Sequence, residues 1–385
     1  MYIATLLGLA LGTLSGILPG IHPNLLSAII IQTQLQNQAI IIFIAAMTYT
    51  FLSVIPTIHL SSPDPESALA LHPSQQYTMK GKSHEAVLLT LVGALISLCF
   101  MVALTPFFTR ILKPLYYVIS KFIPFLLLLT ALFLILHQKR KILAAIIFVS
   151  SGVLGYVSLN SNMTNPLLPL FTGLFGIPSL IINTTSSNIK QKITEPSFSK
   201  KSLKTIFGSL LYGSFFSFLP SLGPAQAATV QSQFSKNKSK RDFLILTGCL
   251  NMINTIFSVV TLMELNVARN GAVAIIKDLG YLDPKNLYGL IFLSMIVAFP
   301  CTVACLVVSR IFIKLKNKIS TKTLSRITII FLVMVTLIMA KIPGVILLLF
   351  ASILGYIPYK VKTTKTTLMG CLMIPTMIFY FSRMF

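Results

Sequence analysis

Residues 12–24 read GTLSGILPGIHPN, and residues 213–225 read GSFFSFLPSLGPA. Both stretches follow one template of Gly, six residues, Pro, three residues, Pro. Gly12, Leu18, Pro19 and Pro23 recur as Gly213, Leu219, Pro220 and Pro224 at a constant offset of 201 residues. Each copy interrupts a long uncharged apolar run, 2–36 in one case and 205–235 in the other. Proline removes a backbone donor and breaks the preceding turn, and glycine permits backbone angles closed to other residues. The spacing therefore predicts two broken-helix hairpins, each made of helices too short to cross a bilayer. Irregular backbone at membrane depth survives only where protein or a cavity surrounds it.

The chain around these hairpins is that of a membrane protein. Of its 385 residues 55% are hydrophobic and only 10% charged, and the mean hydropathy is +0.85. Apolar runs of about 20 residues, the length of a spanning helix, recur at 38–60, 86–108, 122–136, 142–157 and 166–183. They recur again at 243–265, 286–309, 327–340, 343–358 and 366–382. The net charge of +23 lies in short loops between these runs, as the positive-inside rule expects. That distribution argues against nucleic-acid binding. A basic start and a small-residue cleavage site are missing from the first segment, so it is expected to stay in the protein. The five cysteines all fall in apolar stretches and read as small buried hydrophobes, with no metal site and no cofactor implied.

Two further anchors extend the repeat. Leu154-Gly155-Tyr156 matches Leu354-Gly355-Tyr356, and Gly173 with Ile177-Pro178-Ser179 matches Gly370 with Ile374-Pro375-Thr376. The expected organisation is an all-α polytopic membrane protein of two repeats, 1–190 and 204–385. Each repeat has a re-entrant hairpin (2–36; 205–235) and about five transmembrane helices (38–183; 243–382). Five is odd, so the second repeat should be inverted. With the first hairpin opening outward, most of the 31 Lys and Arg fall on the cytoplasmic side, including Lys80, Lys82 and the runs at 139–141, 310–326 and 360–365. A parallel repeat in which 166–183 is itself re-entrant accommodates the charges nearly as well.

Helix N-termini carry about half a positive charge and bind anions. The half-helices beginning near Pro23 and Pro224 would hold an anion without a buried Lys or Arg. His22, Asn24, Ser221 and Gln226 would add hydrogen bonds. Pro19, Gly20, Pro23, Pro220, Gly223 and Pro224 shape the two tips. The plainer alternative is a pair of proline kinks that only pack helices. Asn251 and Asn254, one turn apart, and Ser53 and Thr57 in the matching first-half span, are candidates for a coupling Na⁺ or H⁺, or else interhelical glue. Asp64 and Glu66 flank Pro65, and Arg269 occupies the corresponding place in the second half. These three would gate, relay protons or pair, or belong to solvated loops. Catalytic signatures are lacking: His84-Glu85 is followed by Leu88 where a zinc-protease helix needs histidine. No Gly-rich nucleotide loop is present either. The chain reads as no enzyme.

At these residues the sequence resembles the large membrane subunit of tripartite tricarboxylate transporters, the TctA family, and more closely its archaeal branch. The matching stretches are GTLSGILPGIHPN, LSVIPTIHLSSPDPESALALHP, KSHEAVLLTLVGAL, TGLFGIPSLI, FLPSLGPAQAA, TGCLNMINT and ARNGAVAI. The resemblance implies secondary transport of a small organic anion such as a carboxylate, driven by an ion gradient. It further implies a multi-pass location in the cell membrane. Expected partners are the anionic solute, the lipid bilayer, a small membrane subunit and an extracytoplasmic binding protein, with a homodimer as one arrangement. By that analogy Pro19, Gly20, Pro220 and Gly223 form the substrate site. The second loop departs from the pattern, reading Pro-Ser where the first reads Pro-Gly. A lipid-linked head-group flippase, for polyprenyl phosphate or a similar carrier, is the alternative function.

Overall fold

The first apolar run does break. Helix α1 (Tyr2–Ile17, 16 residues) rises about 24 Å and α2 (Pro23–Ile30, 8 residues) about 12 Å, so neither crosses a hydrocarbon core of about 30 Å. The second run also breaks, between α10 (Lys200–Phe218) and α11 (Pro224–Phe234), but α10 has 19 residues and rises about 28 Å, longer than the half-helix expected, because it starts within the Lys-rich link. These features come from a computed structural model, which describes residues 2–18, 21–33, 35–60, 71–183, 189–196, 200–234 and 239–382. Among the described residues the protein is helical throughout, with no strand. It is an all-α polytopic membrane protein.

After the first hairpin come α3 (Gln38–Leu52) with a π turn (Pro56–Leu60), α4 (Leu71–Met79), α5 (Ser83–Ile119), α6 (Ile123–Leu136) and α7 (Lys141–Leu159). A broken segment follows: α8 (Leu167–Phe171), a second π turn (Thr172–Gly176) and α9 (Ile177–Asn183). The second hairpin leads to α12 (Lys240–Leu265), α13 (Gly271–Asp278), α14 (Pro284–Lys318), α15 (Thr321–Val361) and, through a 3₁₀ turn (Lys365–Met369), α16 (Gly370–Phe381).

Boundaries differ from the sequence expectation where polar residues still favour helix. The expected spans 86–108 and 122–136 form one run, Ser83–Leu136, of 54 residues. That is too long for a single crossing at 1.5 Å per residue, and it divides at the 3₁₀ turn Ser120–Phe122. The expected spans 327–340 and 343–358 also join, in α15, but Lys341 at φ 54 kinks the helix between them. Two short helices, α4 and α13, stand where the sequence suggested loops. Asn270 caps α13 by accepting from the Val273 amide at 2.8 Å, the contact that lets a helix start there.

Close packing rests on small residues. Gly8, Gly12 and Gly16 form a stripe on α1 that lies against Ile44, Ala45, Thr48 and Leu52 of α3, the packing mode of membrane helices. The central helices α3 and α12 are the most enclosed spans. Gly93 of α5 meets the Ile245 backbone while Gly248 of α12 meets Thr90, so these two helices approach by backbone contact on both sides.

The sequence-matched glycines meet crosswise. Gly155 of α7 abuts Cys371, and Gly355 of α15 abuts Leu174; Gly370 abuts Phe148, and Gly173 abuts Leu348. Two hydrogen bonds orient these segments. The Thr364 amide donates to Gln138 Oε1 (3.1 Å), beside the start of α7. Thr164 Oγ1, just past the end of α7, donates to the Met339 carbonyl (3.2 Å), beside the α15 kink. The 343–361 stretch therefore begins where α7 ends and ends where α7 begins. The two matched helices run antiparallel.

Candidate functional site

Both hairpin tips line one cavity of about 530 Å³. Its wall includes His22 and Asn24 from the first hairpin and residues 220–226 from the second. Asn254 on α12, Arg269 and Asn270 before α13, and Tyr49, Asn165 and Ser217 also belong to its polar part. Leu159, Leu167, Leu168, Phe171, Leu332, Met369 and Leu372 supply an apolar remainder, and Thr172 and Gly176 bring in the second π turn. Such π turns cluster at functional sites because they re-aim side chains.

Three helices begin at this wall. His22 is the N-cap of α2, its Nδ1 accepting from the Asn24 amide at 3.3 Å. Gly223 precedes α11, and its amide donates to Gln226 Oε1 at 3.0 Å. Asn270 caps α13. Each start directs partial positive charge inward. Arg269 adds a whole charge. Its guanidinium carbon lies 6.0 Å from the Phe218 ring centre; Tyr380 and Tyr116 hydrogen-bond the guanidinium, while its Nε and Nη2 are buried with no hydrogen-bond partner. Asn24 Oδ1 is likewise buried and unpartnered. No carboxylate is among the described lining residues. Buried polar atoms are normally satisfied, so the unmatched guanidinium nitrogens and amide oxygen mark a polar cavity able to donate hydrogen bonds to a guest through Arg269 and accept one through Asn24.

The second tip corrects one expectation. Gly223 was expected to supply an unusual backbone angle; it does not, and Ser221 takes φ 56 instead. Ser221 is the match of Gly20 at the offset of 201, so the second loop adopts at a serine the left-handed turn that suits glycine. The Ser221 hydroxyl bonds that of Thr376 on α16, which ties the turn in place.

The remaining expected residues separate into groups. Pro23, Pro220 and Pro224 stand at the tips, Pro220 and Pro224 lining the cavity and Pro23 buried. Pro19, Gly20, Asp64 and Glu66 lie outside the described residues. Asn251 is buried on α12 with Oδ1 unpartnered, one turn from Asn254, but does not line the cavity. Ser53 and Thr57 are buried together, Thr57 Oγ1 donating to the Ser53 carbonyl at 3.2 Å. Arg269, read from sequence as a gate or ion-pair candidate, stands on the cavity wall beside both tips.

Sequence reading overlooked a second buried polar group. His59 Nε2 (3.3 Å) and His84 Nδ1 (2.9 Å) share the Ser309 hydroxyl, and Lys316 Nζ donates to the His59 carbonyl at 3.1 Å. These residues join α14 to the π turn after α3 and to the start of α5. In the sequence His59 stood out only as flanking the acidic loop with His72, and His84 only in the incomplete zinc-protease pattern.

Comparison with known proteins follows the same lines. The family model described as the tripartite tricarboxylate transporter TctA family matches residues 2–370. An uncharacterized protein of Methanocaldococcus jannaschii is 30% identical over 392 residues, spanning 97% of this chain and 98% of that protein. No solved structure matches.

Proposed function

The chain belongs to the tripartite tricarboxylate transporter TctA family, and on that premise we propose that it is the permease subunit that carries a small organic anion, a carboxylate, across the cell membrane. The cavity between the hairpin tips is its binding site. One observation carries this reading: the N-termini of α2, α11 and α13 and the unpartnered Nε and Nη2 of Arg269 converge on a cavity whose described lining holds no carboxylate. A bound carboxylate would accept from the guanidinium edge, where a charge-assisted pair is about twice as strong as a neutral one. The helix starts would spread the remaining negative charge. Asn24 would take a hydroxyl or a protonated oxygen through Oδ1.

The two halves act as inverted repeats in this reading. The antiparallel run of α7 and the 343–361 stretch supports inversion over a parallel repeat, and inverted repeats place substrate near the bilayer midplane. The transport is secondary and driven by Na⁺ or H⁺, with buried Asn251, Ser53 and Thr57 and the half-buried Asn254 as the polar groups near which a coupling ion would sit. A small membrane subunit and an extracytoplasmic binding protein complete the system in the sense of the family name.

The apolar wall of Leu159, Leu167, Leu168 and Leu332 favours one rival, a flippase for polyprenyl phosphate. Proteoliposomes offered di- and tricarboxylates in one arm and polyprenyl phosphate in the other decide between them. Carboxylate uptake that falls to background in Asn24→Ala and Pro220→Ala, with both variants still in the membrane, supports the permease. Wild-type uptake in both variants overturns the site.

A further inference from the structure

The cavity has one vestibule wall with a matched but different counterpart. Leu159 and Leu168 line it. The Leu-Gly-Tyr match sets Leu159 opposite Tyr359, and the Gly…Ile-Pro-Ser/Thr match sets Leu168 opposite Lys365. Tyr359 and Lys365 do not line the cavity. They converge on Ser179, which is fully buried. The Ser179 hydroxyl donates to the Phe175 carbonyl at 2.5 Å, so it accepts from Lys365 Nζ at 2.8 Å and from the Tyr359 hydroxyl at 2.9 Å. Lys365 Nζ also sits 4.6 Å from the centre of the Tyr359 ring, within cation–π range.

This knot adjoins cavity-lining segments. Ser179 is one helical turn from Gly176, and Lys365 is one turn from Met369; both Gly176 and Met369 are cavity-lining. The Lys-rich stretch 360–365 puts the knot toward the cytoplasm. In a transporter of inverted halves, an access path open through one half has its mate through the other, and only one is open at a time. Here the path past Leu159 and Leu168 is cavity, and the equivalent path is filled by a tyrosine and a lysine bound to one serine.

We propose that Ser179, Tyr359 and Lys365 are the closed cytoplasmic gate of the cavity, occupying the place that Leu159 and Leu168 leave open on the other side. The inference rests on the inverted-repeat reading given above. Ser179 is the hub: removing its hydroxyl strands both the lysine and the tyrosine, whereas the matched residue of the other half, Thr376, shows that threonine suits the position.

The test needs no substrate, so it stands or falls separately from the anion site. Met369→Cys is introduced with Cys99→Ser, because Cys99 is exposed and the other four native cysteines are buried. Inside-out membrane vesicles are treated with a membrane-impermeant maleimide, which reaches Met369→Cys only when the gate opens. Ser179→Ala is expected to speed modification at least about fivefold, the scale set by losing shared hydrogen bonds at a buried hydroxyl. Ser179→Thr should return it to the parent rate. An unchanged detergent elution volume and melting profile verify that each variant is folded, while labelling of Leu168→Cys from the opposite face should slow as the cytoplasmic gate opens. Should Ser179→Ala fail that check, Tyr359→Phe, which removes one bond, must raise the rate in the same direction. An unchanged or slower rate in the folded variant overturns the gate.

Discussion

The side chain of Asn24, on the first hairpin, packs onto the backbone of Gly271, the first residue of α13 in the second half. A Cβ built at Gly271 would stand 2.6 Å from Asn24 Cγ and 2.9 Å from Asn24 Oδ1. Two parts of the chain nearly 250 residues apart thus set one wall of the cavity.

Gly271→Ala should therefore act on binding more than on folding. Alanine suits the first turn of a helix, but its methyl would push Asn24 out of place. The expected result is a normal melting temperature without ligand and a carboxylate-induced thermal shift reduced by half or more. A full ligand shift in Gly271→Ala would show that the Asn24 position is irrelevant to the site.

Arg269→Gln separates charge from shape. Truncating one partner of a charged hydrogen-bonded pair costs about 2–5 kcal/mol, so carboxylate affinity should fall at least tenfold by calorimetry. The ligand-free protein should lose little stability, because the two unpartnered nitrogens of the buried guanidinium are a cost to the empty fold that offsets its bonds to Tyr380 and Tyr116. Lower affinity combined with markedly lower apo stability would instead make Arg269 a structural residue.

Ser309→Ala removes the hydroxyl shared by His59 and His84. Leaving buried polar groups unmatched costs about 1–3 kcal/mol. Unfolding in mild detergent should register a loss of that size, whereas Ser320→Ala, at an exposed helix cap, should cost about 1 kcal/mol. Equal losses at the two sites would remove any special role for the histidine pair.

Lys365 gives a pH signature. It stands in the connection between the end of α15 and α16, and burial lowers its ammonium from the usual 10.5 to about 7. Between these two values the unfolded chain binds more protons than the folded one, so stability rises with pH across that window. Below about 7 both states are protonated and the slope from this group vanishes. Lys365→Met should flatten the profile above pH 7 relative to wild type in thermal melts at constant ionic strength. Parallel profiles for the two proteins would refute the shift.

Much of this was legible in the chain because membrane burial writes itself into composition. Long uncharged runs have few outcomes in lipid, where every backbone group must be satisfied internally. Pro19, Pro23, Pro220 and Pro224 interrupt such runs at matched positions, so both hairpins could be read before any coordinate. Helix ends were less legible. Ser83–Leu136 and α15 continue through charged or proline-containing stretches, because tertiary packing overrides local breakers. The serine at 221 looked like a departure from the glycine of the first loop; only the structure shows that it takes a positive φ, a backbone angle that suits glycine.

The sequence by itself determined the class of solvent, the helical content, the paired broken hairpins and the family. These follow from local terms: hydropathy, proline chemistry and repeat spacing. Only the tertiary structure decided which residues meet. Arg269 stands on the cavity wall beside both tips, Asn251 falls behind that wall, and Lys365 reaches Ser179 across the two halves. Those placements depend on how antiparallel helices pack through glycine contacts such as Gly155 with Cys371 and Gly355 with Leu174. Side chains far apart in sequence meet there through a geometry that no local pattern specifies.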